Sequence, residues 1–344
     1  MADLQLLKRL CETRGISGRE EAVRNIILEE ISSVADSVEV DALGNLIAYK
    51  RGKERPKTKL MLSAHMDEVG LIVTYITEDG LLKFAEVGGI DRRVLCGKAV
   101  IVGDNLPGII GATPIHLLKS SEREKSVPVE ELSIDIGAKN REEAQKVVSL
   151  GDPITFCSYF DLSSGMVRGK AIDDRAGCAL LIDILKQDLP YDMFFTFVVQ
   201  EEVGLRGAQT AAYQVDPQAA IVVESTTAAD IFGVEDGKKV CFVGKGPVLS
   251  FMDRRTIYDR EYFLWAQSIG KQKGIPYQVK QAVAGGNDAG AIHKSRGGVR
   301  TIAVSLACRY LHAPAGCISQ EDLQHTELLI QALAEKIAGT GQKI

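Results

Sequence analysis

Two histidines and a set of carboxylates stand in this chain where apolar segments run out. Residues 60–64 are mostly apolar and lead into His65-Met66-Asp67. Side chains alternate along an extended chain, so His65 and Asp67 face the same way. An imidazole with a carboxylate two residues on suits a metal ligand and the group that orients it. A strand ending in a polar loop accounts for the same three residues more simply. Asp173 and Asp174 precede a helical pattern, where one aspartate serves as an N-cap worth ~1 kcal/mol; two, followed by Arg175, ask for more. Glu201 and Glu202 follow the apolar run 194–199, and adjacent carboxylates at a buried strand's exit repel each other unless a cation sits between them. Glu224 closes the run 219–223, and His312 follows the run 301–306. Taken singly, each of these last three sites is equally well read as a surface loop.

Taken together, His65, Asp173, Glu202, Glu224 and His312 offer two imidazoles and three carboxylates. Oxygen and imidazole donors without thiolate suit two divalent ions, with Zn²⁺ favoured and Co²⁺ or Mn²⁺ as alternatives. One carboxylate bridging ions ~3.5–4 Å apart is a common hydrolytic arrangement. Glu201 is then left to take a proton from water and pass it to a leaving amine.

The elements that would position these groups follow from periodicity. Helices are expected over 4–13 and from Ser17, whose Glu20 three residues on suggests a capping box. Strands are expected around 38–40, 46–50 and 60–65. From 70 to 162 short alternating segments, separated by glycine-bearing turns, read as a small β module, a barrel or sandwich. Within it, 118–132 reads as a mobile loop and 140–148 as a short helix. Beyond 162 strand and helix alternate again, with strands at 194–199, 219–223 and 301–306. Helices fit 174–186, 260–273, 289–295 and 320–338, the last capped by Ser319 and Asp322. The expected architecture is therefore an α/β mixed-sheet domain with helices on both faces, formed by 1–69 and 163–344. The β module 70–162 is inserted into it.

Composition excludes several classes. The chain has 344 residues, 45% of them apolar and 25% charged, with a net charge of -5 and no basic stripe. Two domains are expected at this length, and nucleic acid is not an expected partner. No apolar run reaches the ~18 residues of a membrane span. The first ten residues read as an amphipathic helix rather than a signal peptide. Seven scattered cysteines without a Cys-x-x-Cys argue for a reducing, cytoplasmic setting. His116, His293 and His325 read as structural or surface residues. Asp288 either caps the helix after it or lines a pocket.

The segments Ser63-Ala-His65-Met-Asp-Glu-Val-Gly70, Gly169-Lys-Ala-Ile-Asp173-Asp-Arg175, Glu201-Glu-Val-Gly204 and Arg309-Tyr-Leu-His312 together resemble the co-catalytic dinuclear metallo-aminopeptidases. Within these, the chain is similar to the tetrahedral (TET), or glutamyl (deblocking), aminopeptidases. Met252-Asp-Arg-Arg255 and Gly285-Gly-Asn-Asp-Ala-Gly-Ala-Ile-His293 carry the same resemblance, which spans nearly the whole chain. It implies that Asp173 bridges two metals. His65 and Glu224 would complete one site, and Glu202 and His312 the other. Asp67 would stand behind His65, with Glu201 as general base. It also implies a PDZ-like or barrel-like insert, peptide substrates and large homo-oligomers, often hollow dodecamers. Glu224 departs from the aspartate often found there, a choice that in related enzymes tracks aminopeptidase against carboxypeptidase use. Some relatives are labelled endoglucanases, so a glycoside hydrolase is the competing reading. That chemistry needs carboxyls ~5–9.5 Å apart across a sugar and leaves the histidines idle. A non-enzymatic scaffold is the third reading, opposed by the cost of a buried acidic cluster with no counter-charge.

Overall fold

The computed structural model describes residues 3–341; the expected limits at Met1 and Ile344 lie outside them. Eight strands form one sheet, in the order Ser37–Val40, Leu46–Lys50, Met193–Val198, Leu60–His65, Ala219–Thr227, Arg300–Cys308, Val248–Leu249 and Gln278–Val279. The four central strands, Met193–Val198 to Arg300–Cys308, run parallel. Leu46–Lys50 and Val248–Leu249 flank them antiparallel, which makes the sheet mixed.

Near-continuous apolar sequence in the central strands reflects burial on both faces. Along Leu60–His65, Leu60, Leu62 and Ala64 join one core and Met61 the other; Ile221 and Val223 alternate with Ala220 and Val222 in the same way. The first core is closed by the helices Leu4–Glu12, Glu21–Ile31, Ile172–Lys186, Arg260–Lys273 and Gln320–Gly339. The second is closed by Arg206–Val215 and Ala289–Ile292. Because the four parallel strands point one way, their C-terminal ends open on one edge, where ligands bind in such sheets.

Between Leu60–His65 and the rest of the sheet the chain builds a closed six-stranded barrel. Around it run Gly70–Ile76, Leu82–Val87, Ser133–Asp135, Leu106–Gly111, Ala99–Val102 and Pro153–Phe156. Its core is separate and includes Leu71, Leu82, Ile110, Ile134 and Ile154. Closure removes the unpaired edges an open sheet would leave. The three-residue strand Ser133–Asp135 completes the ring and was not expected from sequence. The segment expected as a loop over 118–132 carries single turns at Ser120–Arg123 and Val129–Glu131.

Two capping expectations are corrected. Ser17 does not cap the second helix: its hydroxyl donates to Asp67 Oδ2 at 2.6 Å. Glu20 instead accepts from Gly18 N at 2.7 Å and Gln200 N at 3.1 Å, tying the helix start to the strand exit that carries Glu201. At the last helix, Ser319 caps as expected, accepting from Glu321 N at 3.2 Å, whereas Asp322 turns away to Gly244 N and Gly246 N.

Arg175 is fully buried. Its guanidinium donates to Met66 O at 2.5 Å, Leu10 O at 2.6 Å and Gly15 O at 3.2 Å. Lys170 donates to Glu68 at 2.7 Å beside it. A planar fork satisfying several carbonyls at once fixes the chain between His65 and Asp67 against the N-terminal segment.

Candidate metal centre

The sheet edge gathers residues that lie far apart in sequence. His65 ends its strand, Glu202 follows Met193–Val198, and His312 sits beyond Arg300–Cys308. Glu224 lies inside Ala219–Thr227 and not at its end, because that strand continues past the charged residue. Asp173 belongs to Ile172–Lys186, but Asp173 and Asp174 have non-helical backbone angles.

Asp173 stands between the two imidazoles. Its Oδ1 is 3.3 Å from His65 Nε2 and its Oδ2 is 3.3 Å from His312 Nε2. Glu224 Oε1 lies 3.3 Å from the same nitrogen of His65, and Glu202 Oε1 lies 3.2 Å from that of His312. Donor atoms of His65, Asp173 and Glu202 all lie within 4.8 Å of one another, as do those of His65, Asp174 and Glu224. Asp174 is already engaged, accepting from Gly177 N at 3.1 Å and His65 N at 3.4 Å. Asp173 is therefore the better placed of the pair to hold a cation.

Behind these groups lies a supporting layer. Asp67 Oδ1 is 3.4 Å from His65 Nδ1 and accepts from Glu201 N at 3.0 Å, while Oδ2 accepts from Glu202 N at 3.1 Å. One carboxylate thus sets both a ring and the loop bearing the two glutamates. His312 Nδ1 lies 2.8 Å from Gly89 O, in the turn after the barrel strand Leu82–Val87. His312 also has a left-handed backbone, φ 58°, as does Gln200 just before the glutamates, φ 56°. Such conformations cost ~1–3 kcal/mol and persist where surrounding structure holds them. Sequence reasoning missed Ser17 and Gly89. A backbone carbonyl carries no side-chain signal, and Ser17 has the same composition cue as a cap.

The electrostatics fit dications. Asp67, Asp173, Asp174, Glu201, Glu202, Glu224 and Asp288 crowd around only two imidazoles. Burial pushes the Glu201 and Glu224 carboxyls well above the usual range and Asp288 up to about 7. Burial opposes charge on His312, yet Asp173 and Glu202 lift its pKa to about 11. The imidazoles are thus made to serve as the cluster's cations. Metal dications held there would supply that charge instead and leave the ring nitrogens free to ligate. Glu224 Oε2 and both Asp288 oxygens are buried without a partner, as expected of a cluster whose counter-charge is a bound ion. His293, by contrast, turns its Nδ1 to Ala289 O in its own helix at 2.7 Å and takes no part.

Glu201, Asp173, Glu224 and His312 line one cleft of about 320 Å³. A parallel-centred α/β sheet with imidazoles and carboxylates paired at one edge defines a metal-dependent hydrolase. Residues 44–329 match the profile of the M42 glutamyl aminopeptidase family. The lysyl aminopeptidase of Pyrococcus furiosus is 31% identical over 348 residues, covering 98% of each chain. Among solved structures, a TET aminopeptidase from a marine sediment thaumarchaeon superposes with a TM-score of 0.93 at 36% identity, covering 97% of this chain and 96% of its own. The Pyrococcus horikoshii TET1 peptidase, which assembles into a tetrahedron or an octahedral shell, gives 0.84 at 37% identity, over 96% and 98%. The chain belongs to the M42 family. It is an aminopeptidase, a divalent-metal hydrolase of peptide bonds, and the glycoside hydrolase reading is not favoured.

If Asp67 orients His65, Asp67→Asn should weaken metal affinity about 10–100-fold. Titration of the chelator-stripped protein with Zn²⁺ by calorimetry measures this. Unchanged affinity would leave Asp67 with a purely structural role.

Proposed function

We propose that the chain removes N-terminal residues from peptides with two divalent ions held by five side chains. Asp173 bridges them, His65 and Glu224 complete one site, and Glu202 and His312 the other. The observation that carries this reading is the placement of Asp173, whose two oxygens each face a different imidazole at 3.3 Å. Bound there, such ions polarise a carbonyl and lower the pKa of water. Asp67 holds His65 and the glutamate loop in place. Glu201, half-buried in the cleft lining, takes a proton from the attacking water and returns it to the leaving amine nitrogen. The donor set suits Zn²⁺, with Co²⁺ or Mn²⁺ as alternatives.

The same reading extends to organisation. Residues 1–69 and 163–344 form the catalytic unit, and 70–162 is a module for assembly into a homo-oligomer, up to a dodecamer. Ile115 and Leu117, on this segment, are about two-thirds exposed, at 68% and 67%. Multimeric assembly of the Pyrococcus horikoshii relative supports the proposal. The free cysteines fit a cytoplasmic setting. Among the described residues no helix is long and apolar enough to cross a membrane.

Hydrolysis of aminoacyl-p-nitroanilides and of carboxymethylcellulose, with and without chelator, tests the reading. Release from the aminoacyl substrates should disappear on chelation and return with Zn²⁺ or Co²⁺. Metal-independent cellulose cleavage, or fewer than two ions per active chain, would overturn it.

A further inference from the structure

Four consecutive backbone amides lead from the strand Met193–Val198 into the turn that carries Glu201, and a side-chain oxygen from elsewhere in the chain accepts each of them. Val199 N donates to Asn45 Oδ1 at 2.9 Å. Gln200 N donates to Glu20 Oε1 at 3.1 Å. Glu201 N and Glu202 N donate to the two oxygens of Asp67, at 3.0 and 3.1 Å. Asp67 also sets the His65 ring, whereas among the described residues Glu20 pairs with neither site imidazole. Its bond to the turn therefore has no explanation in the metal centre itself.

Glu20 is buried and stands just before the helix Glu21–Ile31. The same oxygen accepts from Gly18 N at 2.7 Å, so the carboxyl is fixed by its own loop as well as by the turn. That loop is anchored in turn. Ser17 donates to Asp67 Oδ2 at 2.6 Å, Glu68 N to Gly15 O at 3.0 Å and Gly15 N to Glu68 Oε1 at 3.1 Å. A short segment tied at both ends leaves the Glu20 oxygen little room to move. The amide it accepts belongs to the residue with the left-handed backbone, Gln200, φ 56°. Such a backbone persists where its surroundings hold it. Release at this point would let the turn rotate and swing Glu201 out of line. Glu202 has a second hold, since its Oε1 lies 3.2 Å from His312 Nε2. Among the described residues the Glu201 carboxylate pairs with neither imidazole, so it is the one whose aim depends on the turn.

We propose that Glu20 is a positioning residue for the reaction: by accepting the Gln200 amide it fixes the aim of Glu201. The proposal rests on Glu201 as the general base. The part played by Glu20 is that of an acceptor at a fixed reach, so its charge is dispensable and its length is not.

The test uses the metal-loaded full chain and an aminoacyl-p-nitroanilide. In Glu20→Ala kcat should fall by about 10–10²-fold, the usual effect of a misplaced group, with KM little changed and two ions retained. Glu20→Asp keeps the charge but falls one methylene short, and should lose as much. Glu20→Gln keeps the reach and should restore most of the rate. In the Glu201→Gln background Glu20→Ala should cost almost nothing further, because the group it aims is already disabled. Hydrogen exchange at the peptide containing Gln200 should quicken in the alanine and aspartate variants and not in the glutamine one. Should the alanine chain fail to fold, the contrast between aspartate and glutamine decides. Equal losses in Glu20→Gln and Glu20→Asp, a loss additive with Glu201→Gln, or a raised KM at unchanged kcat would overturn the proposal. Near-normal kcat in Glu201→Gln itself would instead overturn the general-base reading beneath it.

Discussion

Glu201→Gln is expected to lower kcat by about 10²–10⁴-fold, the usual contribution of a positioned general base, with both ions still bound. Glu201 and Glu202 are neighbours, but the structure gives them different surroundings. Glu202 Oε1 lies 3.2 Å from His312 Nε2, among the groups proposed to hold metal. Among the described residues the Glu201 carboxylate pairs with neither imidazole; it lines the cleft. Burial pushes its pKa well above the ordinary value. Glutamine keeps the shape and removes the proton acceptor. Metal analysis by mass spectrometry alongside turnover decides the matter. Loss of an ion in this variant would make Glu201 a ligand, and near-normal kcat would remove it from the reaction.

Asp173→Ala should do more, and by a different route. Asp173 is the only carboxylate among the described residues whose two oxygens lie within 4 Å of both site imidazoles, so removing it takes a donor from each position at once. Metal content is expected to fall from two ions per chain to well below one. Activity should fall by about 10³-fold or more, since a lost metal forfeits several kcal/mol of charge stabilisation. His312→Ala provides the contrast, because it leaves His65 and Glu224 in place and should retain one ion. Equal metal loss in both variants would argue against a shared bridge.

Much of this site was legible in the chain as types and places. Four runs rich in apolar residues read as buried strands, and each led to an acid or an imidazole. The parallel order of those strands puts their ends on one edge. What was not legible has physical reasons. Ala219–Thr227 runs through Glu224, because a buried carboxylate set against the His65 imidazole is compatible with a strand, although a charged residue reads as a boundary. Val248–Leu249 and Gln278–Val279 are two residues each, below any periodicity. Ser133–Asp135 is short and mostly polar, and only closure of the barrel makes it a strand. Ser17 and Glu20 match a capping box, but tertiary partners outcompeted the local one: Asp67 for the hydroxyl and Gln200 for the carboxylate.

The contact between His312 Nδ1 and Gly89 O joins two folding units at a single atom pair. Gly89 lies between the strand Leu82–Val87 and Ile90, which packs on the barrel core, so a tilt of the barrel against the sheet would shift the carbonyl that the ring faces. Were subunits to meet through that barrel, as proposed, their contact would bear on the aim of His312. Quaternary architecture and turnover would share one lever, and an excised barrel would take the carbonyl partner from His312 Nδ1 even with every proposed ligand still in the chain.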